Sequence, residues 1–350
     1  MHPEGPGGIA RRTPLLTNVV RLAPVRARPV GAVALFALLA GCEGRQSVLS
    51  PAGLEAEFVA SLFWWLLGGA ILLWVLVNGL FVYVTRLNPK PLSRRLAEAL
   101  IIGGGIVFPV TLLAVLLSLT LPRIPEHRAP ADGLRVHVQG EQWWWRVEYW
   151  PEGATEPVIS ANEIRLPVGM PTEITLSARN VIHSFWVPAL AGKLDMFPGR
   201  ETRLAVEPSE TGVFRGQCAE FCGTSHALMA FEAVVMEPDA FEAWLATEAG
   251  DARPPGGETA TRGEAVFLAE GCGGCHTIRG TPANADVGPD LTHVGGRESL
   301  AAGILPMSED ALADWIAHTS DTKPGVMMPD YDYLPEDDLR ALATYLAGLK

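Results

Sequence analysis

Charge is what this 350-residue sequence has least of. Only 19% of its residues are Asp, Glu, Lys or Arg, against 48% hydrophobic, and the mean hydropathy is +0.20. A cytosolic enzyme of uniform composition is excluded by those figures, and the length points to two or three domains. Positive charge is especially short toward the C-terminus. Residues 1–121 hold 10 Lys/Arg against 5 Asp/Glu, residues 122–250 hold 10 against 18, and residues 251–350 hold 7 against 16. The net charge of −12 therefore belongs to the last two-thirds of the chain. Nucleic acid is excluded as a partner, because its phosphates would be repelled; a basic partner would be steered in. Cysteine is scarce too. The five fall at 42, 218, 222, 272 and 275, one alone and then two close pairs.

What is present at the N-terminal end is membrane chemistry. Arg11, Arg12, Arg21, Arg26 and Arg28 precede an apolar run from Val30 to Ala40 that ends in Leu39-Ala40-Gly41-Cys42. The run is shorter than the roughly 20 residues a bilayer requires. A basic flank with a short apolar core is the secretory pattern, and LAGC resembles a bacterial lipoprotein box. Residues 1–41 are thus read as a signal peptide cleaved before a lipid-bearing Cys42; the alternative is a small buried Cys in an uncleaved leader. Two longer runs follow, Phe58–Val84 and Ala99–Leu121, the first without any charge. As helices they would reach about 40 and 34 Å, against a hydrocarbon core of about 30 Å. The loop between them carries Arg86, Lys90, Arg94 and Arg95 with no acid before Glu98, so it belongs inside, with both flanks outside. Residues 42–121 are expected to form a transmembrane helical hairpin that exports everything after Pro122. Glu98 reads either as a headgroup-level carboxylate or as a proton-entry group.

From Leu134 to Met236 the pattern changes to short β-branched segments punctuated by Pro, Gly and Asn: LRVHVQ, NEIRLPV, TEITLSA, TRLAVEP, GVFRGQ and FEAVVM. Such spacing predicts a β-sandwich or barrel, followed by a short helix after Pro238. Two places carry chemistry: Asn180-Val181-Ile182-His183-Ser184-Phe185-Trp186, and the run QCAEFCGTSHALM with Cys218, Cys222, His226 and Met229. Thiolate, imidazole and thioether together select soft metals, copper above all. A Cys218–Cys222 disulfide would leave His226 and Met229 without a role, and a tetrahedral zinc site of two Cys and two His has no use for Met229. Two copper ions bridged by both sulfurs, with one His each, would use every donor.

That run, with His183, GEQWWWRVEY, GKLDMFPGR and the preceding hairpin, resembles subunit II of cytochrome c oxidase over residues 50–245. The resemblance implies a cupredoxin fold over 122–248 holding the binuclear CuA centre, with His183, Cys218, Cys222, His226, Met229 and the Glu220 carbonyl as ligands. It also implies that the Glu220 side chain points to a magnesium site shared with subunit I. Trp143 would be the exposed entry point for electrons. On packing grounds alone the three tryptophans read as strand and core, with Trp143 and Trp145 on one face and Trp144 on the other.

Residues 249–257, AGDARPPGG, read as a linker. Beyond it, Cys272-x-x-Cys275-His276 marks covalent haem c attachment with His276 as axial ligand; a thioredoxin-like CxxC or half a zinc site are the alternatives. Helical patterns occupy 259–270, 309–319 and 336–348, the last two opening on acids. GPDL and KPGVMMP resemble the ligand loops of a small class I cytochrome c, an all-α domain over 258–350. Met/His ligation suits electron transfer. Met327 and Met328 are the candidates for the distal ligand, and the residue just before Pro, Met328, matches the family. His293 and His318 read as surface residues.

The expectation is a multi-domain protein of a bacterial inner membrane: transmembrane hairpin, all-β cupredoxin domain and all-α cytochrome c domain, both cofactor domains on the outer side. It would pass electrons from a basic or small cytochrome c-type donor through haem c and CuA to subunit I, where oxygen is reduced to water with proton pumping. Further oxidase subunits and membrane lipid would be the remaining partners. The alternatives are the input subunit of a CuA-containing nitric oxide reductase and a membrane-tethered copper-delivery protein. With a flexible linker, the cytochrome would be a tethered donor with a reach of roughly 15–18 Å.

Overall fold

The computed structural model describes residues 43–87, 91–123 and 133–350; Cys42 and the leader before it lie outside the described residues. Two long apolar helices come first. α1 (Leu54–Val82) runs on through a wider turn at Tyr83–Leu87. α2 (Arg94–Ile102) and α3 (Phe108–Thr120) form one run joined by a wider turn over three glycines, Gly103–Val107. Ser93 starts that run by accepting from Leu96 N, the usual way a helix N-terminus satisfies a free donor. Both runs, Leu54–Leu87 and Arg94–Thr120, are long and apolar enough to cross a membrane, and their most apolar stretches are wholly unburied. Glu98 pairs with Arg94 one turn earlier, Oε1 to Nε at 2.7 Å.

The segment leading into α1 is tied to the next domain. Arg45 Nη2 meets the Glu232 carboxylate at 2.6 Å and its carbonyl accepts from Arg215 N at 2.9 Å. Ala52 N donates to Ala189 O, and Leu54 N to Glu207 O.

That domain is a two-layer sandwich. β1 (Arg135–Glu141), β2 (Trp144–Trp150), β3 (Val158–Ala161), β4 (Glu163–Pro167), β5 (Thr172–Ala178), β6 (His183–Trp186), β7 (Leu194–Met196), β8 (Thr202–Val206), β9 (Gly212–Cys218) and β10 (Ala230–Met236) build it. One sheet has the order β3-β2-β1-β5-β8 and the other β4-β10-β9-β6-β7. Alternation decides the faces: along β2, Trp145, Val147 and Tyr149 are buried while Trp144, Arg146 and Glu148 are only partly covered. Between the sheets, Phe185 stacks on Phe231 at 4.9 Å and Trp145 meets Phe231 edge-on at 5.1 Å. α4 (Pro238–Glu248) closes one end through Phe241 and Trp244 against Tyr149.

A second core belongs to the C-terminal helical domain. α5 (Glu258–Ala269), α6 (Glu309–Ala317), the short α7 (Thr319–Thr322) and α8 (Glu336–Gly348) surround Phe267, Ile278, Leu312, Ile316, Leu342 and Leu346, with a two-stranded ribbon, β11 (Ser299–Leu300) and β12 (Leu305–Pro306).

The helical domain is docked on the sandwich, which departs from the picture of a freely tethered donor. Three sandwich arginines donate to its backbone carbonyls: Arg146 to Asp286 O at 2.6 Å, Arg165 to Gly296 O at 2.8 Å and Arg215 to Gly303 O at 2.7 Å. Ala230 N reaches Ala302 O at 2.9 Å, Ser225 Oγ reaches Pro324 O at 2.6 Å, and Glu298 N donates to Glu163 Oε2 at 2.7 Å. Arg279 grips the intervening segment, bonding the Glu248 and Gly250 carbonyls. Charge-assisted bonds of this kind are stronger than neutral ones, and there are several of them in one seam.

Candidate functional site

Strand register assembles the first cluster. β6 pairs with β9 so that Phe185 lies opposite Cys218, which puts His183 beside the end of β9. Cys218 N donates to Met229 O at 2.9 Å, closing the 218–229 loop on itself, and Ala219 N donates to Ser184 O at 3.0 Å. Gly140 on β1 leaves room for the histidine: a Cβ there would stand 2.7 Å from the His183 ring.

Inside that loop the donors fall into two matching sets around a pair of sulfurs 3.8 Å apart. Cys218 Sγ has His183 Nδ1 at 3.7 Å and the Glu220 carbonyl at 3.1 Å. Cys222 Sγ has His226 Nδ1 at 3.6 Å and Met229 Sδ at 3.8 Å. His183, Cys218, Cys222 and Met229 are all buried, and both cysteines are free thiols. The neighbouring Cys222 thiol, then the His183 ring, hold Cys218 well below the usual thiol range. Two shared sulfurs, each with its own imidazole and a further weak donor, fit a pair of soft ions and leave no donor over. The Glu220 side chain points outward, with its carboxylate 3.9 Å from Lys193 and 46% exposed.

The second cluster lines a cavity in the helical domain. Cys272, Cys275, His276, Met327 and Met328 all border it. His276 Nδ1 donates to Pro289 O at 2.7 Å, which leaves Nε2 free to face the cavity; burial pushes its pKa down. Met328 packs against the helical core, whereas Met327 is 78% exposed. Two thiols, an imidazole and a half-buried thioether around one cavity fit a covalently attached haem. An unpartnered buried Nε on Arg297 adds a seat for an anionic group.

Trp143 departs from the sequence expectation. It sits in the turn between β1 and β2, only 7% exposed, and cannot be an open docking point for a soluble donor. Its Nε1 donates to Cys222 O at 3.1 Å, and its ring borders the haem cavity. Gly325, at φ +84°, packs on the ring so closely that a Cβ would lie 3.1 Å from it. The helical domain covers this surface, and the same side chain touches both clusters. Trp144 and Trp145 follow the alternation: Trp145 is 1% exposed, and Trp144 is partly covered under the Arg146 guanidinium. Gln142 also donates to Cys222 O, at 2.9 Å.

Several residues lie within or beside the quoted motifs but have a place at the seam that the motifs do not show. Lys323 is 2% exposed, its Nζ bonds Ala301 O at 2.9 Å, and burial pushes its pKa down to about 7. Ser225 and Gly325 likewise gain a role only once the two domains meet. His293 is buried rather than superficial, with Nε2 3.3 Å from Gly250 O, while His318 is exposed.

A family model described as cytochrome C oxidase subunit II, periplasmic domain, matches residues 150–237, and one described as cytochrome c matches residues 260–350. Cytochrome c oxidase subunit 2 of Alkalihalophilus pseudofirmus is 32% identical over 337 residues, covering 92% of this chain and 96% of that protein. The chain belongs to the cytochrome c oxidase subunit II family. It is a subunit of a cytochrome c oxidase, with a cytochrome c domain fused at its C-terminal end. The Bacillus sp. (strain PS3) subunit 2 is 34% identical, covering 70% of this chain and 72% of that protein. The solved periplasmic domain of subunit II from Bradyrhizobium japonicum is 29% identical, covering 35% of this chain and 96% of that one, with a TM-score of 0.30. For a subunit II the two clusters have a direct meaning: copper in the sandwich and haem c in the helical domain, in a membrane protein with periplasmic domains.

Proposed function

We propose that this chain takes electrons from an external basic cytochrome-type donor through haem c, held by Cys272, Cys275, His276 and Met328, and then through the copper pair. His183, Cys218, Glu220, Cys222, His226 and Met229 hold that pair, and subunit I receives the electrons for reduction of oxygen to water with proton pumping. The observation that carries the reading is the position of Trp143, bordering the haem cavity and bonded to the carbonyl of Cys222. When bound, haem and copper each exchange one electron at a time without bond chemistry at a substrate. The protein's part is to hold the two sites together and dry: Trp143 fills the space between them, Gly325 lets the methionine loop approach its ring, and Ser225 ties that loop to the copper loop. In this reading the two apolar helices form a hairpin in a bacterial inner membrane, the loop between them inside and both domains outside. Cys42 carries lipid after cleavage, and the outward Glu220 carboxylate faces a magnesium ion shared with subunit I.

Purification of the complex, with metal and haem analysis and an oxygen-consumption assay, tests this. Two coppers and one covalent haem for each copy of this chain, with oxygen turnover exceeding nitric oxide turnover, are expected. Nitric oxide as the preferred acceptor, or a single exchangeable copper, would overturn it.

A further inference from the structure

A buried turn lies between the two clusters and is bonded toward both. The ribbon β11–β12 reverses through Ala301, Ala302 and Gly303, at φ +52°, +62° and +80°. Glycine adopts that left-handed conformation freely, whereas alanine is strained in it. Two strained alanines in succession persist only where the surroundings hold them.

What holds them is a hydrogen bond at each of the three carbonyls. Ala301 O accepts from Lys323 Nζ at 2.9 Å, Ala302 O from Ala230 N at 2.9 Å, and Gly303 O from Arg215 Nη1 at 2.7 Å. The donors come from different places. Lys323, 2% exposed, opens the loop that carries Met328. Ala230 directly follows Met229, and Arg215 lies on β9, the strand that ends at Cys218. Packing follows the same division. Ala302, 1% exposed, belongs to the hydrophobic core of the sandwich, while Ala301 and Ala302 also border the haem cavity. Gly303 approaches the start of β10 so closely that a Cβ on it would stand 3.0 Å from the Cβ of Ala230. The turn is a plug from the helical domain set into the copper domain, and a buried lysine ties the methionine loop to it.

We propose that Lys323 and the 301–303 turn are positioning elements for electron transfer, keeping the loop of Met328 in register with the end of β10 beside Met229. The proposal rests on the reading that residues 258–350 bind haem c with Met328 as a ligand. The connection is serial. Ala230 N and Arg215 fix the turn, the turn's first carbonyl fixes Lys323, and Lys323 fixes the start of the loop. Breaking a link frees the loop and weakens thioether ligation, which disfavours the ferrous haem and lowers its potential. The distal side of the haem thereby depends on the copper domain being in place.

Lys323→Met and Arg215→Gln, each in the full oxidase complex, test this. Methionine matches lysine in length and suits a buried position, but it donates nothing to Ala301 O. Arg215 does not border the haem cavity, so its effect on haem ligation has to pass through the turn. Covalent haem at one per chain and the dicopper absorption and EPR signals are expected to stay as in the parent. The methionine–iron charge-transfer band of the ferric haem should weaken in both variants, more in Lys323→Met, and the haem potential should fall with it. The double variant should lose no more of the band than Lys323→Met alone, because both substitutions break one connection. A lower potential with the band at full strength would be an effect of lost positive charge only, and would overturn the positioning role. So would additive losses in the double variant. If Lys323→Met fails to assemble, Arg215→Gln decides alone, and an unchanged band there overturns the turn's part. Absence of covalent haem from the parent complex would defeat the haem reading, and the proposal with it.

Discussion

At the scale of single residues, the two clusters differ in what each side chain contributes. The copper loop has no spare donor, so removing one sulfur should dismantle it. Cys218→Ser is expected to abolish the dicopper absorption while the haem c bands persist, as optical spectra of the complex would show. In the haem domain, burial separates the two methionines. Met328→Leu should leave haem attached and lower its potential, because the thioether that favours the ferrous state is lost, whereas Met327→Leu should leave the potential where it was. A redox titration of each variant decides between them. Away from the clusters, Glu148 is held below the usual carboxylate range by its hydrogen bond to His137, Oε2 to Nδ1 at 3.2 Å. Its folded pKa is depressed, so its contribution to stability is present above the unfolded value and is lost as pH falls through the folded one. Glu148→Gln should therefore lower stability near neutrality, leave it nearly unchanged in strong acid where the parent carboxyl is already protonated, and so flatten the acid side of the unfolding profile.

At the scale of elements, the sequence was legible wherever an element was long enough to show a period. β1, β5, β8, β9 and β10, and the helices α5, α6 and α8, lie within a residue or two of where alternation, Pro, Gly and acidic first turns put them. β3, β6 and β7 have three or four residues each, too few for a period of two to rise above chance. Yet β6 carries His183, and its pairing with β9 is what brings that ring to the sulfurs. The methionine loop is the element most exposed to a test. Gly325→Val would push a branched side chain into the Trp143 ring and strain a positive φ. Haem-to-copper electron transfer, followed after flash reduction, should slow several-fold, and the spectra of both centres should be retained.

At the scale of the whole molecule, the decisive fact is that the cytochrome domain is seated rather than swinging. Residues 250 and 252 are already bonded to Arg279, and the arginine bonds across the seam are independent of linker length. Inserting about ten Gly/Ser residues between Arg253 and Gly257 should therefore leave the internal haem-to-copper rate unchanged; a diffusing, tethered domain would slow as its effective concentration fell. In the proposed route, added salt should weaken delivery by a basic donor to this acidic surface while sparing the internal step. The sequence by itself determined the cofactors and the layers: ligand spacing within one loop, CxxCH and apolar run length are local properties, written in consecutive residues. Only the tertiary structure decided how the layers meet. The burial of Trp143, the covered copper face and the bond from Glu298 N to the Glu163 carboxylate come from surfaces of two separate domains. No periodicity along one chain records which of those surfaces will touch.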